Sequence, residues 1–259
     1  MQTTDRLLVA STLLLRMLDC GKLRLPAVAA LHVLMMVPVT LKVVVANVVV
    51  MVLQAVEVDF FRVDQVRKAV RDSWKARHGH SLTYLPFIGN AVCRALLDFP
   101  HLNSSVDGDS LLLHEHVNLA IAVDLGAEGL VAPVIKEAEK MSVAQLADAI
   151  ADIAHRSRTN RLKPNDFAGG TYTLSNSGTF GTLITAPIIN QPQLAIMTTG
   201  AIVKRPVVKT DAEGNDYIAI RSMMFLGLSH DHRLIDGLYA VQFTERVKQY
   251  MESYRIEGF

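Results

Sequence analysis

Ser229-His230-Asp231-His232-Arg233-Leu234-Ile235-Asp236-Gly237 is the most informative stretch of the chain. It follows an apolar run, Met223–Leu228, and precedes a segment from about Leu238 to Tyr254 with helical spacing of apolar residues. The order reads as strand, polar turn, helix. Such a turn carries polar side chains at the edge of a rigid sheet, where catalytic groups are often placed. Histidine has an unperturbed pKa of about 6.5, the closest of any side chain to neutral. It can take a proton from a thiol of pKa about 8.5 without a large mismatch. Gly237 would permit close approach or a positive φ. Residue types alone leave a second reading open, a polar turn whose His and Asp cap the last helix.

Outward from this stretch, strands and helices mix without a strict βαβ rhythm. Strands are expected at Val56–Phe60, Leu111–Leu125, Leu130–Ile135, Thr171–Leu174, Leu194–Met197 and Tyr217–Leu228. Helices are expected over Val63–Arg77, with Val63, Val66, Val70 and Trp74 on one face, and over Thr83–Phe99, broken at Pro100. Ser142-Val143-Ala144-Gln145 is a capping box. It opens a helix to about Arg158 with Leu146, Ile150 and Ile153 inward. Residues 1–24 could form an amphipathic helix around Leu7, Leu8, Leu13, Leu14 and Leu15. The expected fold is α/β (α+β), a mixed or largely antiparallel sheet covered by helices, and one domain is the simplest count.

Composition supports a packed core. The chain has 259 residues, of which 50% are hydrophobic and 20% charged, which argues against a wholly disordered chain. The net charge of +1 argues against a nucleic-acid binder held by a basic face. Two cysteines, Cys20 and Cys93, build neither a disulfide framework nor a Cys-based zinc site, so a reducing compartment is the default. Cys93, on an apolar helix, reads as a buried small hydrophobe. From Pro26 to Val56 the only formal charge is Lys42. This run is interrupted by Pro38, Asn47 and Gln54. Its valine-rich part, Val43–Val52, suits a buried strand better than a membrane helix.

A second feature is Gly169-Gly170-Thr171-Tyr172-Thr173-Leu174-Ser175-Asn176-Ser177-Gly178-Thr179-Phe180-Gly181. A strand feeds a loop crowded with hydroxyls and glycines. Such a loop can present an O–H donor to a developing oxyanion. Alone, Gly/Ser/Thr loops are usually only loops.

Together the two features resemble the catalytic core of the dihydrolipoamide acyltransferases, the core components of 2-oxo acid dehydrogenase complexes. Asp231-His232-Arg233-Leu234-Ile235-Asp236-Gly237 is similar to the family's DHRxxDG signature, and Gly170-Thr171-Tyr172-Thr173-Leu174-Ser175-Asn176 to its G-T-F-T-I-S-N strand. Pro187-Ile188-Ile189-Asn190-Gln191-Pro192, Ala201-Ile202-Val203-Lys204-Arg205-Pro206 and Pro133-Val134-Ile135-Lys136 match further family segments, in order, between about Val56 and Tyr254.

The resemblance implies a chloramphenicol acetyltransferase-like two-layer sandwich. It implies transfer of an acyl group between dihydrolipoamide, carried on a lipoyl domain, and coenzyme A. His232 stands where the family has its general base, and Ser175 where it has the hydroxyl that stabilises the tetrahedral oxyanion. Asp236 stands where it has a carboxylate that organises the site through a salt bridge. No Ser-His-Asp triad and no acyl-enzyme are implied. The family site lies between two subunits of a homotrimer, so His232 of one chain should meet Ser175 of its neighbour. Larger cubic or icosahedral cores are built from such trimers. The implied partners are lipoyl domains, the 2-oxo acid decarboxylase and dihydrolipoamide dehydrogenase. The implied location is the bacterial cytoplasm or the mitochondrial matrix.

One region departs from the family. It normally has an arginine-bearing helix upstream of the first strand, which supplies a coenzyme A contact and the salt-bridge partner of the site aspartate. Here that region is the valine-rich stretch Val43–Val56, so neither role is assigned. Residues 1–55 read as an atypical apolar segment and 56–259 as the acyltransferase domain. No lipoyl-lysine hairpin or flexible linker is visible, so the lipoyl group would come from elsewhere. Ser177 and Thr179 remain substitutes for Ser175 if the strand register differs. His114 and His116, two apart on an expected strand, would share a face, but no third ligand has a recognisable spacing, so no metal is expected. Two alternatives stay open: an inactive structural core of such a complex, and a free-standing chloramphenicol-type acetyltransferase. The acyl group is not readable.

Overall fold

Apolar stripes and caps explain where the helices fall. The computed structural model describes residues 50–107 and 110–255. Helix α1 (Phe61–His78) buries Val63, Val66 and Trp74, as the spacing predicts. It ends where Gly79 turns into the left-handed region at φ 74° and donates its N–H to the Lys75 carbonyl. Helix α2 (Leu85–Asp98) starts with Pro86 in its first turn, where a missing N–H costs nothing. Helix α3 (Val143–Arg158) has the expected capping box. The Ser142 hydroxyl accepts the Gln145 N–H at 3.2 Å, and the Gln145 side chain accepts the Ser142 N–H at 2.9 Å. Helix α4 (Gly237–Glu252) turns Ala240, Phe243, Val247 and Met251 inward.

Seven strands form the main sheet: β1 (Met51–Asp59), β4 (Leu119–Ile121), β7 (Val134–Ile135), β8 (Tyr172–Asn176), β9 (Ala195–Thr199), β10 (Val203–Thr210) and β11 (Asp216–Asp231). The order is β1-β11-β9-β8-β4-β7, with β10 also paired to β11. β4, β8 and β9 are parallel to one another, while β1, β7, β10 and β11 pair antiparallel, so the sheet is mixed. β2 (Ser104–Asp107) pairs with β3 (Ser110–Leu113), and β5 (Val123–Asp124) with β6 (Leu130–Val131), as two small separate sheets.

β11 is the spine. Its inner part is buried without alternation from Leu226 to Asp231, as expected for a strand with neighbours on both edges and cover on both faces. Its outer half pairs only with β10, and there Ile218 and Ile220 are exposed. The core joins the inner sheet to α1, α2, α3 and α4 through Phe87, Leu96, Leu146, Tyr172, Met197, Leu228 and Phe243. Each such side chain contributes about 1.5–3 kcal/mol by leaving water. Cys93 is buried there, and burial pushes its thiol pKa up to about 12. Among the described residues no helix is long and apolar enough to cross a membrane.

Several expectations need correction. The expected strand Leu111–Leu125 is three short strands, β3, β4 and β5, separated by irregular backbone. His114 and His116 therefore lie in a connection rather than on one strand face. His114 Nε2 meets the Ser105 hydroxyl at 3.0 Å, and His116 Nδ1 meets Glu139 at 2.9 Å. β1 begins at Met51, ahead of the expected strand end at Val56–Phe60, and is paired with β11 throughout. β11 runs on to Asp231, so Ser229, His230 and Asp231 are strand and only His232–Ile235 form the turn. β10 was not expected. Its Pro206 lacks a ladder N–H, and a proline is tolerated on a strand paired along one edge. The expected helix over 1–24 and most of Val43–Val52 lie outside the described residues.

Candidate active site

The end of β11 fixes one half of the site. The His232 N–H still donates to the Val50 carbonyl at 2.8 Å, so the ladder holds the turn in line with β1. The Asp231 carbonyl accepts the N–H groups of Leu234 and Ile235 at 3.1 and 3.0 Å, closing the turn. The buried Asp231 carboxylate takes Arg233 Nη2 at 2.6 Å and Nε at 2.9 Å, and Ile235, 1% exposed, anchors the turn in the core. The geometry of this tight turn thus comes from a strand end, an ion pair and one apolar anchor. His232 is half-buried, and its ring makes no hydrogen bond among the described residues. Gln54 Nε2 donates to the Gly237 carbonyl at 3.0 Å and ties β1 to the start of α4.

Asp236 is the N-cap of α4, its carboxylate accepting the Tyr239 N–H at 2.9 Å. Among the described residues it has no ion pair. The capping reading of this aspartate therefore applies at least in part. Gly237 does not adopt a positive φ. A Cβ there would sit 3.7 Å from Gln54 Nε2 and 3.9 Å from His232 Nε2, ordinary contact distances. Its bareness leaves space beside the imidazole rather than relieving backbone strain.

His230 lies beside His232, with ring centroids 5.7 Å apart and planes tilted by 32°. It is fully buried, and among the described residues neither ring nitrogen has a partner. Burial, with the nearby His232 adding to it, pushes its pKa down to about 4, so it is neutral at pH 7.

The other half is the end of β8. Ser175 pairs with Thr198 of β9 and is half-buried, and its hydroxyl makes no hydrogen bond among the described residues. The neighbouring polar groups are engaged. Asn176 Oδ1 accepts the Gly178 N–H at 3.1 Å and the Thr199 hydroxyl at 2.9 Å. The Ser177 hydroxyl meets that of Thr185 at 2.7 Å and donates to the Thr199 carbonyl at 3.2 Å. Thr179 is exposed in the following turn. Of Ser175 and Ser177, then, only Ser175 keeps a hydroxyl without a partner among the described residues. The loop after β8 crosses the end of β9 so closely that a Cβ at Gly178 would overlap the Gly200 carbonyl, and one at Gly200 the Leu183 carbonyl. Glycine is required at both positions. A cavity of ≈ 690 Å³ opens at this end of β8, lined by Tyr84, Ile88, Ile121, Ile150, Asn176 and Phe180 among others.

Ladder register measures the separation of the halves. Ser175 is level with Thr198, and Thr198 with Gly227. His232 lies five residues further along β11. At about 3.3 Å per residue and about 4.8 Å per strand, the offset is roughly 17 Å along the strands and 10 Å across, or about 19 Å. A hydroxyl and an imidazole so far apart cannot share a substrate atom within one chain.

The sequence reading passed over Gln54 as a break in an apolar run. A lone amide in a valine-rich strand was the available signal. Its Oε1, the Ser229 hydroxyl and both His230 nitrogens are buried and have no partner among the described residues.

The model of the catalytic domain of the 2-oxoacid dehydrogenases acyltransferase family matches residues 42–256. The dihydrolipoyllysine-residue acetyltransferase component of the pyruvate dehydrogenase complex of Corynebacterium glutamicum is 47% identical over 204 residues, covering 78% of this chain and 30% of that protein. The chain thus spans less than a third of that relative's length. An Azotobacter vinelandii dihydrolipoamide acetyltransferase is similar at 31% identity with a TM-score of 0.73, covering 82% of this chain and 85% of that one. Its structure was solved to investigate a serine, a histidine and an asparagine in its catalytic mechanism. A chloramphenicol acetyltransferase shares the fold at TM-score 0.50 and 17% identity, covering 78% of this chain and 88% of that one.

Proposed function

Because the chain belongs to the 2-oxoacid dehydrogenase acyltransferase family, we propose that it transfers an acyl group between the thiol of dihydrolipoamide and coenzyme A. The observation that carries this reading is a separation. Ser175 and His232 each present a polar group with no hydrogen-bond partner among the described residues, yet they sit about 19 Å apart at opposite ends of one sheet. Two such half-sites become one only where two copies of the chain meet.

In this reading His232 takes the proton of the coenzyme A thiol. The thiolate attacks the thioester carbonyl of acyl-dihydrolipoamide, and the carbonyl π pair moves onto oxygen. The Ser175 hydroxyl of the adjacent chain donates to that oxyanion. The intermediate collapses, the carbon–sulfur bond to dihydrolipoamide breaks, and the imidazolium returns the proton to the leaving thiolate. Ser175 forms no bond to carbon. Asp236 keeps the turn bearing His232 aligned by capping α4. The stretch upstream of β1, where the family has the salt-bridge partner, lies outside the described residues, and no partner is assigned to Asp236. In the Azotobacter protein the histidine and asparagine under study lie four residues apart, the spacing from His232 to Asp236.

The proposed assembly is a homotrimer, the building unit of a larger core. Coenzyme A is a substrate, and lipoyl domains, the decarboxylase and dihydrolipoamide dehydrogenase are the partners. The proposed location is the compartment of those soluble components, the cytoplasm or the mitochondrial matrix. The test is acyl transfer from acetyl-, succinyl- and branched-chain acyl-coenzyme A to free dihydrolipoamide, which also assigns the acyl group. His232→Ala should lower the rate by about 100- to 10,000-fold. An unchanged rate would remove the proposed base.

A further inference from the structure

The loop after α1 brings together three potential metal ligands far in sequence from the acyl-transfer residues. His78 ends α1, and Gly79 reverses the chain in the left-handed region so that His80 comes back beside His78. Asp148 reaches them from α3. His78 Nδ1 lies 2.8 and 3.1 Å from the two Asp148 oxygens, and His80 Nε2 lies 2.8 Å from Oδ1. Two rings thus converge on one carboxylate oxygen, and the three donor atoms all lie within 4.8 Å of one another.

The surroundings are those of a ligand set rather than of a salt bridge alone. The His78 ring is stacked on Trp74, with centroids 3.7 Å apart and planes 3° off parallel. That contact fixes the ring's orientation, as a supporting shell does for a metal ligand. Trp74 also meets His80 edge-on at 5.7 Å. The His78, His80 and Asp148 side chains are 19%, 28% and 49% exposed, so water and an ion can reach the point of convergence. We propose that His78, His80 and Asp148 form a binding site for a borderline divalent metal ion such as Zn2+, with water completing the coordination.

A tetrahedral ion bound at about 2.0–2.1 Å holds its donors roughly 3.3 Å apart. The nitrogen–oxygen contacts here are slightly shorter than that and the limiting spread somewhat longer, so small ring and carboxylate rotations suffice. Two imidazoles and one carboxylate suit Zn2+, Co2+, Ni2+ or Cu2+ rather than Mg2+ or Ca2+, which favour all-oxygen sets. The site would join the end of α1 to α3. His80 and α3 both line the cavity at the end of β8, so an ion there braces one wall of that cavity.

Trp74 is the only tryptophan of the chain, and its ring touches a ligand ring, so it reports on this site alone. The full chain, freed of metal with a chelator, is titrated with Co2+ while tryptophan fluorescence is followed, and with Zn2+ by calorimetry. One equivalent should quench the fluorescence saturably, Zn2+ should bind with the same stoichiometry, and Zn2+ should raise the melting temperature. His80→Ala and Asp148→Asn should each weaken binding by about tenfold or more and abolish the thermal shift, with far-ultraviolet circular dichroism unchanged. Should Asp148→Asn disturb the fold, His80→Ala, at a loop position, decides alone. Absence of stoichiometric binding, or quenching that persists unchanged in a folded variant, overturns the proposal.

Discussion

If catalysis requires His232 of one chain and Ser175 of its neighbour, two inactive variants should repair each other. Ser175→Ala removes an oxyanion donor and should cost about 100- to 1,000-fold in rate. His232→Ala removes the base and should cost at least as much. Within a chain the two groups are about 19 Å apart, whereas a base must come within about 3 Å of its proton, so no side-chain rotation rescues a single chain. In a trimer of randomly mixed variants, about a quarter of the interfaces join an intact His232 to an intact Ser175. Co-expressed variants should therefore recover roughly a quarter of wild-type turnover, about 25-fold or more above the better parent. The assay is thioester formation from acyl-coenzyme A and dihydrolipoamide on the whole co-expressed population; mixed trimers isolated through two different affinity tags, with one productive interface in three, should reach about a third. Hybrids no more active than the mean of their parents would refute the split site.

Two further predictions concern the turn. Asp236→Ala should lose the cap on α4, about 1 kcal/mol, and lower the melting temperature by roughly 2–4 °C, while Asp236→Asn should keep most of it. Scanning calorimetry decides, and equal melting of all three proteins would deny the capping role. His230, beside His232, Asp231 and Asp236, gives a pH signature. The unfolded chain binds its proton below pH about 6.5, whereas the folded chain refuses it until about 4. Stability therefore falls as pH drops through that window, by up to about 3 kcal/mol from this group, and is unaffected by it above. His230→Phe should flatten that part of the stability–pH curve measured by urea denaturation, and an unaltered slope would show that another group causes it.

The sequence made visible what local chemistry controls. The capping box at Ser142, the spacing of Val63, Val66 and Trp74, and the run of strand, turn and helix around His232 are all written in neighbouring residues, and all appear in the structure. What stayed hidden depends on distant partners. Leu111–Leu125 alternates like one strand but is broken, because Asn103 holds the His114 and His116 carbonyls through its side-chain amide at 3.1 Å each. β10 was masked by Pro206, whose tolerance depends on lying along one edge of β11. The choice among Ser175, Ser177 and Thr179 could not be made from a hydroxyl-rich string. Thr185 and the Thr199 carbonyl, which engage the Ser177 hydroxyl, favour the proposal of Ser175. The cluster of His78, His80 and Asp148 joins residues about 70 apart in the chain, and no spacing motif encodes it.

In the proposed reading, dividing the site between the two ends of a sheet has a physical consequence for its precision. Each half is rigid by itself. The Ser175 end is locked by glycines that admit no side chain, and the His232 end by the strand ladder, the Asp231–Arg233 pair and the buried Ile235. Little freedom remains inside either half, so in the proposed trimer the distance between hydroxyl and imidazole is set by how two chains dock. Neither group has a partner among the described residues, and each loses little by this, because both are half-buried and can still be met by water. Docking would displace that water and strengthen the oxyanion contact at the same step. On this argument assembly is a condition of turnover rather than an accessory to it, and activity should follow the population of docked subunits as mass action sets it.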